Sequence, residues 1–291
     1  MNLKNLIRMK TKIYKQNLTP RKGNLILVVV SLALFVLFPM FTSCSSDETQ
    51  TVANFTELVM QDEFDTDGAL NSEIWDYEIG TGENGWGNNE LQYYTNRAEN
   101  ITVQNGILII TAKKESFEGA SYTSARIVSK GEQAYGRYEA RIRLPYGQGI
   151  WPAFWLLGAD CGPAVVWPQC GEIDIMEYRG QEPTTIHGSV HGNGFSGGNA
   201  ITKSYNLLND RFDTGFHVFG IEWGPEYINF YVDDVLYNQI TPADVPGEWV
   251  FDHPFKIIIN LAVGGSFVGA PNSETVFPQT MLVDYVRVYK Q

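Results

Sequence analysis

The sequence predicts an all-β sandwich of two antiparallel sheets. Beyond Phe55 no long segment has a helical period, many short runs alternate apolar with polar residues, and Gly, Asn, Asp or Pro separate them. Residues 106–112 (GILIITA) and 136–144 (GRYEARIRL) read as strands. In the second, Tyr138, Ala140, Ile142 and Leu144 share one face, as a half-buried strand requires. Further strands are expected at 216–223 (FHVFGIEW), 227–232 (YINFYV), 256–263 (KIIINLAV) and 281–289 (MLVDYVRVY). Asp233-Asp234, between YV and VLY, reads as a tight hairpin turn. Regular spacing of strands and turns favours a sandwich, and the roughly 240 residues available suffice for one core without a second domain.

Residues 171–178, GEIDIMEY, set Glu172, Asp174 and Glu177 in a β-favouring stretch. Strict alternation would put Glu172, Asp174 and Met176 on one face and Glu177 on the other. A β-bulge at Ile175 or Met176 shifts the alternation by one and returns Glu177 to the face of the other two. Three ionised carboxylates on one sheet face repel one another and resist desolvation, so their chemistry is the natural reason for keeping them. Glycoside cleavage uses such carboxylates, and retention of configuration needs two of them about 5–5.5 Å apart. Five extended residues span roughly 16 Å, so bulge, sheet curvature and side-chain lean must close that gap. The octapeptide alone leaves an exposed polar strand face or a carboxylate metal site as alternatives.

Seven basic residues and no acidic ones precede the apolar run 25–41, LILVVVSLALFVLFPMF, which reads as an export signal. It ends at Phe41-Thr42-Ser43-Cys44, similar to a bacterial lipobox that would make Cys44 the lipidated first residue. A plain signal peptide or a single membrane anchor is the alternative, and Met9 is a second candidate start. Ser45-Ser46-Asp47-Glu48 resembles the acidic tether that directs lipoproteins to the cell exterior. The expected organisation is a lipoprotein-type signal over 1–44, a flexible tether over 45–54 and a single β-sandwich domain over 55–291. An exported lipoprotein of the bacterial outer membrane or cell surface follows, touching membrane through its lipid anchor alone. Without residues 1–43 the net charge is −19, 14 basic residues against 33 acidic. Such a surface repels nucleic acid and sulfated polymers and suits a neutral polysaccharide.

Cys161 and Cys170 lie close together in a stretch holding Gly162, Pro163 and Pro168. An oxidising compartment would pair them; two reduced buried thiols are the alternative. His187 and His191 have the spacing of a helical zinc pair, yet Gly188, Gly192 and Gly194 disfavour a helix and no third ligand is evident. His217 and His253 read as structural. Asn260, in NLAVGG, either reaches a cleft or satisfies backbone groups.

Six ordered blocks carry a resemblance over nearly all of residues 58–290. They are GWGNNELQYYT (85–95), SARIVSKGEQAYGRYEARIRLP (124–145), GIWPAFWLLG (149–158), GEIDIMEY, VHGNGFSGG (190–198) and FPQTMLVDYVRVY (277–289). The chain resembles glycoside hydrolase family 16, in its bacterial laminarinase branch of endo-β-1,3-glucanases. The resemblance implies a concanavalin A-like jelly roll with a concave substrate cleft and a β-glucan as partner. It implies Glu172 as nucleophile, Glu177 as general acid/base and Asp174 as the group hydrogen-bonded to the nucleophile. It implies Trp86, Trp151 and Trp155 as sugar platforms, though spacing alone would place the last two in the core. Asn88, Arg126 and His191 would line the cleft, while Glu90 could be a solvated charge. No cofactor is implied for catalysis. A structural calcium ion on the convex side would be held by Glu63, the carbonyl of Gly106 and Asp284. A monomer suffices for all of this. Mixed-linkage β-1,3-1,4-glucanase, transglycosylase and non-catalytic β-glucan binding are the alternative functions.

Overall fold

The computed structural model describes residues 54–291. The signal, Cys44 and all of the tether except Asn54 lie outside the described residues. In chain order the first strands are β1 (Glu57–Asp62), β2 (Trp75–Tyr77), β3 (Gln92–Tyr94), β4 (Ile101–Gln104), β5 (Ile107–Phe117) and β6 (Ala120–Ser124). Next come β7 (Arg126–Ser129), β8 (Gly136–Arg143), β9 (Ile150–Gly158), β10 (Glu172–Tyr178), β11 (Thr185–His191) and β12 (Ile201–Asn206). The last are β13 (His217–Gly224), β14 (Tyr227–Val232), β15 (Val235–Ile240), β16 (Phe255–Val263) and β17 (Gln279–Lys290).

These strands form two sheets. Seven strands run in the order β12-β11-β10-β9-β16-β7-β2, and ten form the other sheet along β15-β14-β13-β8-β17-β5-β6-β3, with β1 on β17 and β4 on β5. Pairing is antiparallel except between β3 and β6. Each strand read from the sequence is present, and β5 runs on to Phe117 because KKESF keeps the period-2 alternation after ILIITA. The shorter strands carry too few apolar residues to announce themselves and are fixed by their neighbours.

Period-2 patterning explains the core. Tyr138, Ala140, Ile142 and Leu144 are buried, as their common face requires. Ile150, Phe154 and Leu156 of β9 enter the same core as Ile173, Ile175 and Tyr178 of β10, meeting Phe219, Ile221 and Trp223 of β13 from the opposite sheet. The odd-numbered residues of β9 therefore face away from the core, which puts Trp151 and Trp155 on the outer face of the seven-stranded sheet. The β14–β15 turn places both Asp233 (φ 49°) and Asp234 (φ 62°) in the left-handed region that two-residue hairpins demand. Phe154 is wholly buried on the central strand of the seven-stranded sheet. Phe154→Ala should destabilise the domain by about 3–5 kcal/mol, read as a lower urea midpoint at unchanged slope.

Candidate active site

β10 carries the bulge. Against β9, Asp174 pairs with Trp155 and Met176 with Phe154; against β11, Asp174 pairs with Ser189 and Glu177 with His187. Ile175 and Met176 therefore stand opposite the single residue Gly188, and both bury their side chains in the core. The slip leaves Glu172, Asp174 and Glu177 on the outer face, where all three line a cleft of about 970 Å³.

Each carboxylate has its own neighbours. Trp167 Nε1 donates to Glu172 Oε2 at 3.0 Å, and Trp151 Nε1 donates to Glu177 Oε1 at 3.1 Å. Gly197 N–H donates to His191 Nδ1, so the proton of the neutral ring sits on Nε2. That nitrogen lies 2.9 Å from Asp174 Oδ2 and 3.6 Å from Glu172 Oε1. Asp174 Oδ2 nevertheless has no donor aligned with it, so His191 acts there as a close electrostatic neighbour.

Burial pushes all three carboxyl groups above the usual carboxylate range. Asp174 adds to the rise of Glu172, while His191, the Trp167 N–H and Arg126 favour its anion. Glu172 also keeps 17 % of its side chain open to the cleft, where water moderates the cost of charge. Glu177 is raised by burial and then by the charges of Asp174 and Glu172, with His191 and Trp151 opposing. Crowding of this kind separates the protonation steps, leaving one carboxyl ionised while another holds its proton.

An aromatic wall flanks the trio. The Arg126 guanidinium lies between the rings of Trp86 at 4.4 Å and Trp155 at 4.9 Å, and its Nε is bound by Glu78. Arg126 thus holds the two indoles and itself lines the cleft. Trp155 Nε1 donates to Asn260 Oδ1 at 2.8 Å, Asn260 Nδ2 to Tyr94 OH at 3.1 Å, and Tyr94 OH to Glu90 Oε2 at 3.1 Å. Gln92 and Asn88 also donate to Glu90. Glu90 is therefore a half-buried hub of hydrogen bonds, not a solvated charge, and desolvation raises its pKa. The GWGNN loop needs left-handed backbone at Gly85 (φ 60°), where a Cβ would meet Glu90 N at 2.5 Å. Trp151 packs on Phe267 (5.2 Å) over Ala262 and Val268 on the cleft side, outside the main core.

Cys161 and Cys170 are joined by a disulfide, with Cα atoms 5.1 Å apart. His187 and His191 lie on strand β11, and His187 bonds Ser204. His217 contacts Asp233 and His253 contacts Asp160. The residues suggested for calcium do not fit a cation as they stand. Glu63 makes two bonds to Arg287 (2.7 and 2.9 Å) and Asp284 is paired with Arg141, so both carboxylates are already neutralised. Among the described residues the group spaced for a metal is Glu172, Asp174 and His191, all three on the cleft lining. Trp167, Phe267, Glu78 and Tyr94 were not legible as site residues. Their contacts cross loops or sheets, and the signals available were an exposed aromatic in a cysteine-bounded loop and the Gly-flanked Phe267.

Crowded, buried carboxyls at the floor of an aromatic-walled cleft on a β-sandwich fit a glycoside hydrolase. The chain belongs to family 16 of the glycosyl hydrolases, whose model matches residues 88–287. It is 42% identical over 268 residues to the beta-glucanase of Rhodothermus marinus, covering 87% of this chain and 93% of that one. It is 38% identical to the glucan endo-1,3-beta-glucosidase A1 of Niallia circulans, over 80% of this chain and 38% of that longer one. Among solved structures, the catalytic domain of the endo-1,3-beta-glucanase (laminarinase) from Thermotoga petrophila superposes with a TM-score of 0.78 at 47% identity, covering 82% of this chain and 99% of that one.

The raised carboxyl pKa values have a consequence for stability. A carboxyl whose folded pKa exceeds its unfolded value contributes most below the unfolded value and loses that contribution as pH rises through the folded one. Glu177→Gln, which keeps an acceptor for Trp151, should therefore raise the melting temperature by about 2–4 °C at pH 9 and leave it unchanged near pH 4. Melting curves of parent and variant across that range check the sign.

Proposed function

We propose that this protein is an endo-acting β-1,3-glucanase that hydrolyses laminarin-type glucan with retention of configuration. The observation that carries the reading is the bulged β10, which aims Glu172, Asp174 and Glu177 into one cleft. Glu172 attacks the anomeric carbon while Glu177 passes its proton to the departing glycosidic oxygen, leaving a glycosyl ester on Glu172. Glu177, now anionic, takes a proton from water as that water attacks the anomeric carbon, and the bond from that carbon to Glu172 breaks to release Glu172 as carboxylate. Glu172 must be the anion for this attack, and His191, the Trp167 N–H and Arg126 favour its charge against burial and the carboxylate of Asp174. Trp86 and Trp155 offer ring faces to the apolar faces of glucosyl units.

A mixed-linkage activity is supported by the 34% identity to the endo-1,3-1,4-beta-glycanase EglC of Rhizobium meliloti. Transglycosylation would use the same ester with a sugar acceptor in place of water. Binding without cleavage, as in the beta-1,3-glucan-binding protein of Penaeus monodon at 29% identity, is disfavoured by the presence of both glutamates. We place the enzyme at the outer membrane or cell surface, monomeric and held by lipid on Cys44, and we assign it no catalytic cofactor. Cys44→Ala should release it into the medium. A structural calcium would have to displace Arg287 and Arg141, so chelation by EDTA should leave the melting temperature unchanged; a fall of several degrees would restore the ion.

The parent should release mixed oligosaccharides rapidly from laminarin, and Glu172→Gln should release none. Glu177→Gln should lose about 10²–10⁴-fold in kcat. The kcat/KM profile should be a bell, its acid limb set by Glu172 ionising and its alkaline limb by Glu177 losing its proton. With both groups raised, the bell should lie well above the pH range of ordinary carboxylates. Cleavage of laminarin by Glu172→Gln at the parent's rate would end this account.

A further inference from the structure

We propose that Trp167, held by the loop that the Cys161–Cys170 disulfide closes, is a positioning residue for Glu172. This rests on Glu172 being the nucleophile of the proposed reaction. Trp167 is 45% exposed, so packing does not hold its ring. Its Nε1 nevertheless donates to Glu172 Oε2 at 3.0 Å, and its ring centroid lies 6.0 Å from that of His191. An exposed indole left free would spread over several rotamers, so its orientation has to come from the backbone that carries it.

That backbone is strapped at several points. The disulfide closes a nine-residue separation, and Cys170 is wholly buried at its base. Gly158 N–H donates to Gly171 O at 3.1 Å where β9 hands over to β10, and a Cβ on Gly158 would lie 1.9 Å from Cys170 O. Within the loop, Gly162 N–H donates to Val165 O and Gln169 N–H to Val166 O. Outside it, Ala159 N–H donates to Pro254 O and Asp160 meets His253 at 3.1 Å. Trp167 thus sits on a framed flap whose base is two residues from Glu172.

The consequence is chemical. An indole N–H donates and neither accepts nor titrates, so its bond to Glu172 persists across the pH range and favours the anion throughout. The titratable groups facing Glu172 are Asp174 and Glu177 on β10 and His191 on β11, and the cation is Arg126 on β7, while β9 sets uncharged Leu157 beside it. Tying Oε2 to Trp167 leaves Oε1, 3.6 Å from His191 Nε2, as the oxygen free to attack.

Trp167→Phe keeps the ring and removes the donor. With laminarin as substrate, its kcat/KM profile should show the acid limb moved up by about one pH unit, roughly tenfold less activity below that limb, with the Glu177 limb in place. The parent, reduced by a phosphine that delivers two electrons and gives two thiols, then alkylated, should show the same shift. Reduction should move Trp167→Phe no further. Melting curves run beside each sample verify that it is folded. An acid limb left in place in Trp167→Phe, with only KM raised, would make Trp167 a sugar platform and overturn the proposal. A reduced, folded parent with an unmoved acid limb would overturn the role of the disulfide. Failure of the glucanase reading would show separately, as an inactive parent or an active Glu172→Gln.

Discussion

One residue of register in β10 governs the site. Without the bulge, Glu177 would point into a core made of Phe154, Ile173 and Tyr178, and the ionised form would have no solvent. With it, Ile175 and Met176 both bury and Glu177 joins Glu172 and Asp174 in the cleft. The extra residue therefore settles two requirements together, a filled core beneath and three carboxyls above.

The surroundings of the trio follow from that placement. Crowded carboxyls in a half-closed cleft hold protons unequally, and the neighbours decide which one ionises first. Glu172 receives an N–H from Trp167 and has Arg126 nearby, Glu177 receives an N–H from Trp151, and His191 favours the anion of both against burial and the charges of neighbouring carboxyls. The aromatic wall is fixed by polar groups in turn. Arg126 is stacked between Trp86 and Trp155, and the chain from Trp155 through Asn260 and Tyr94 to Glu90 ties that wall to the GWGNN loop. The sandwich beneath is ordinary β physics, and the stiffness of the cleft comes from these polar ties across strands distant in sequence.

Much of this was legible in the chain. Alternation in GRYEARIRL gave the buried face of β8, Asp233-Asp234 gave the hairpin, and the out-of-phase glutamate in GEIDIMEY gave the bulge. Residues whose role depends on distant partners were not legible. Arg126 was expected along the cleft and lines it, but its ties to Glu78 and two indoles were not expected, and no local pattern announces a partner 48 residues away. Glu63 and Asp284 were expected to hold calcium, but two arginines on neighbouring strand positions claim them. Trp167 was hidden because a loop's side-chain direction is set by its closure and not by any period.

We propose that the bulge presents Glu172 as the nucleophile. Trapping the ester with an activated 2-deoxy-2-fluoro β-1,3-glucoside, digesting the protein and weighing the peptides tests it. One added glycosyl group is expected, localised to Glu172 in the peptide containing GEIDIMEY. A label on Glu177, or no label from an enzyme that turns over laminarin with an inverted product anomer, would contradict it.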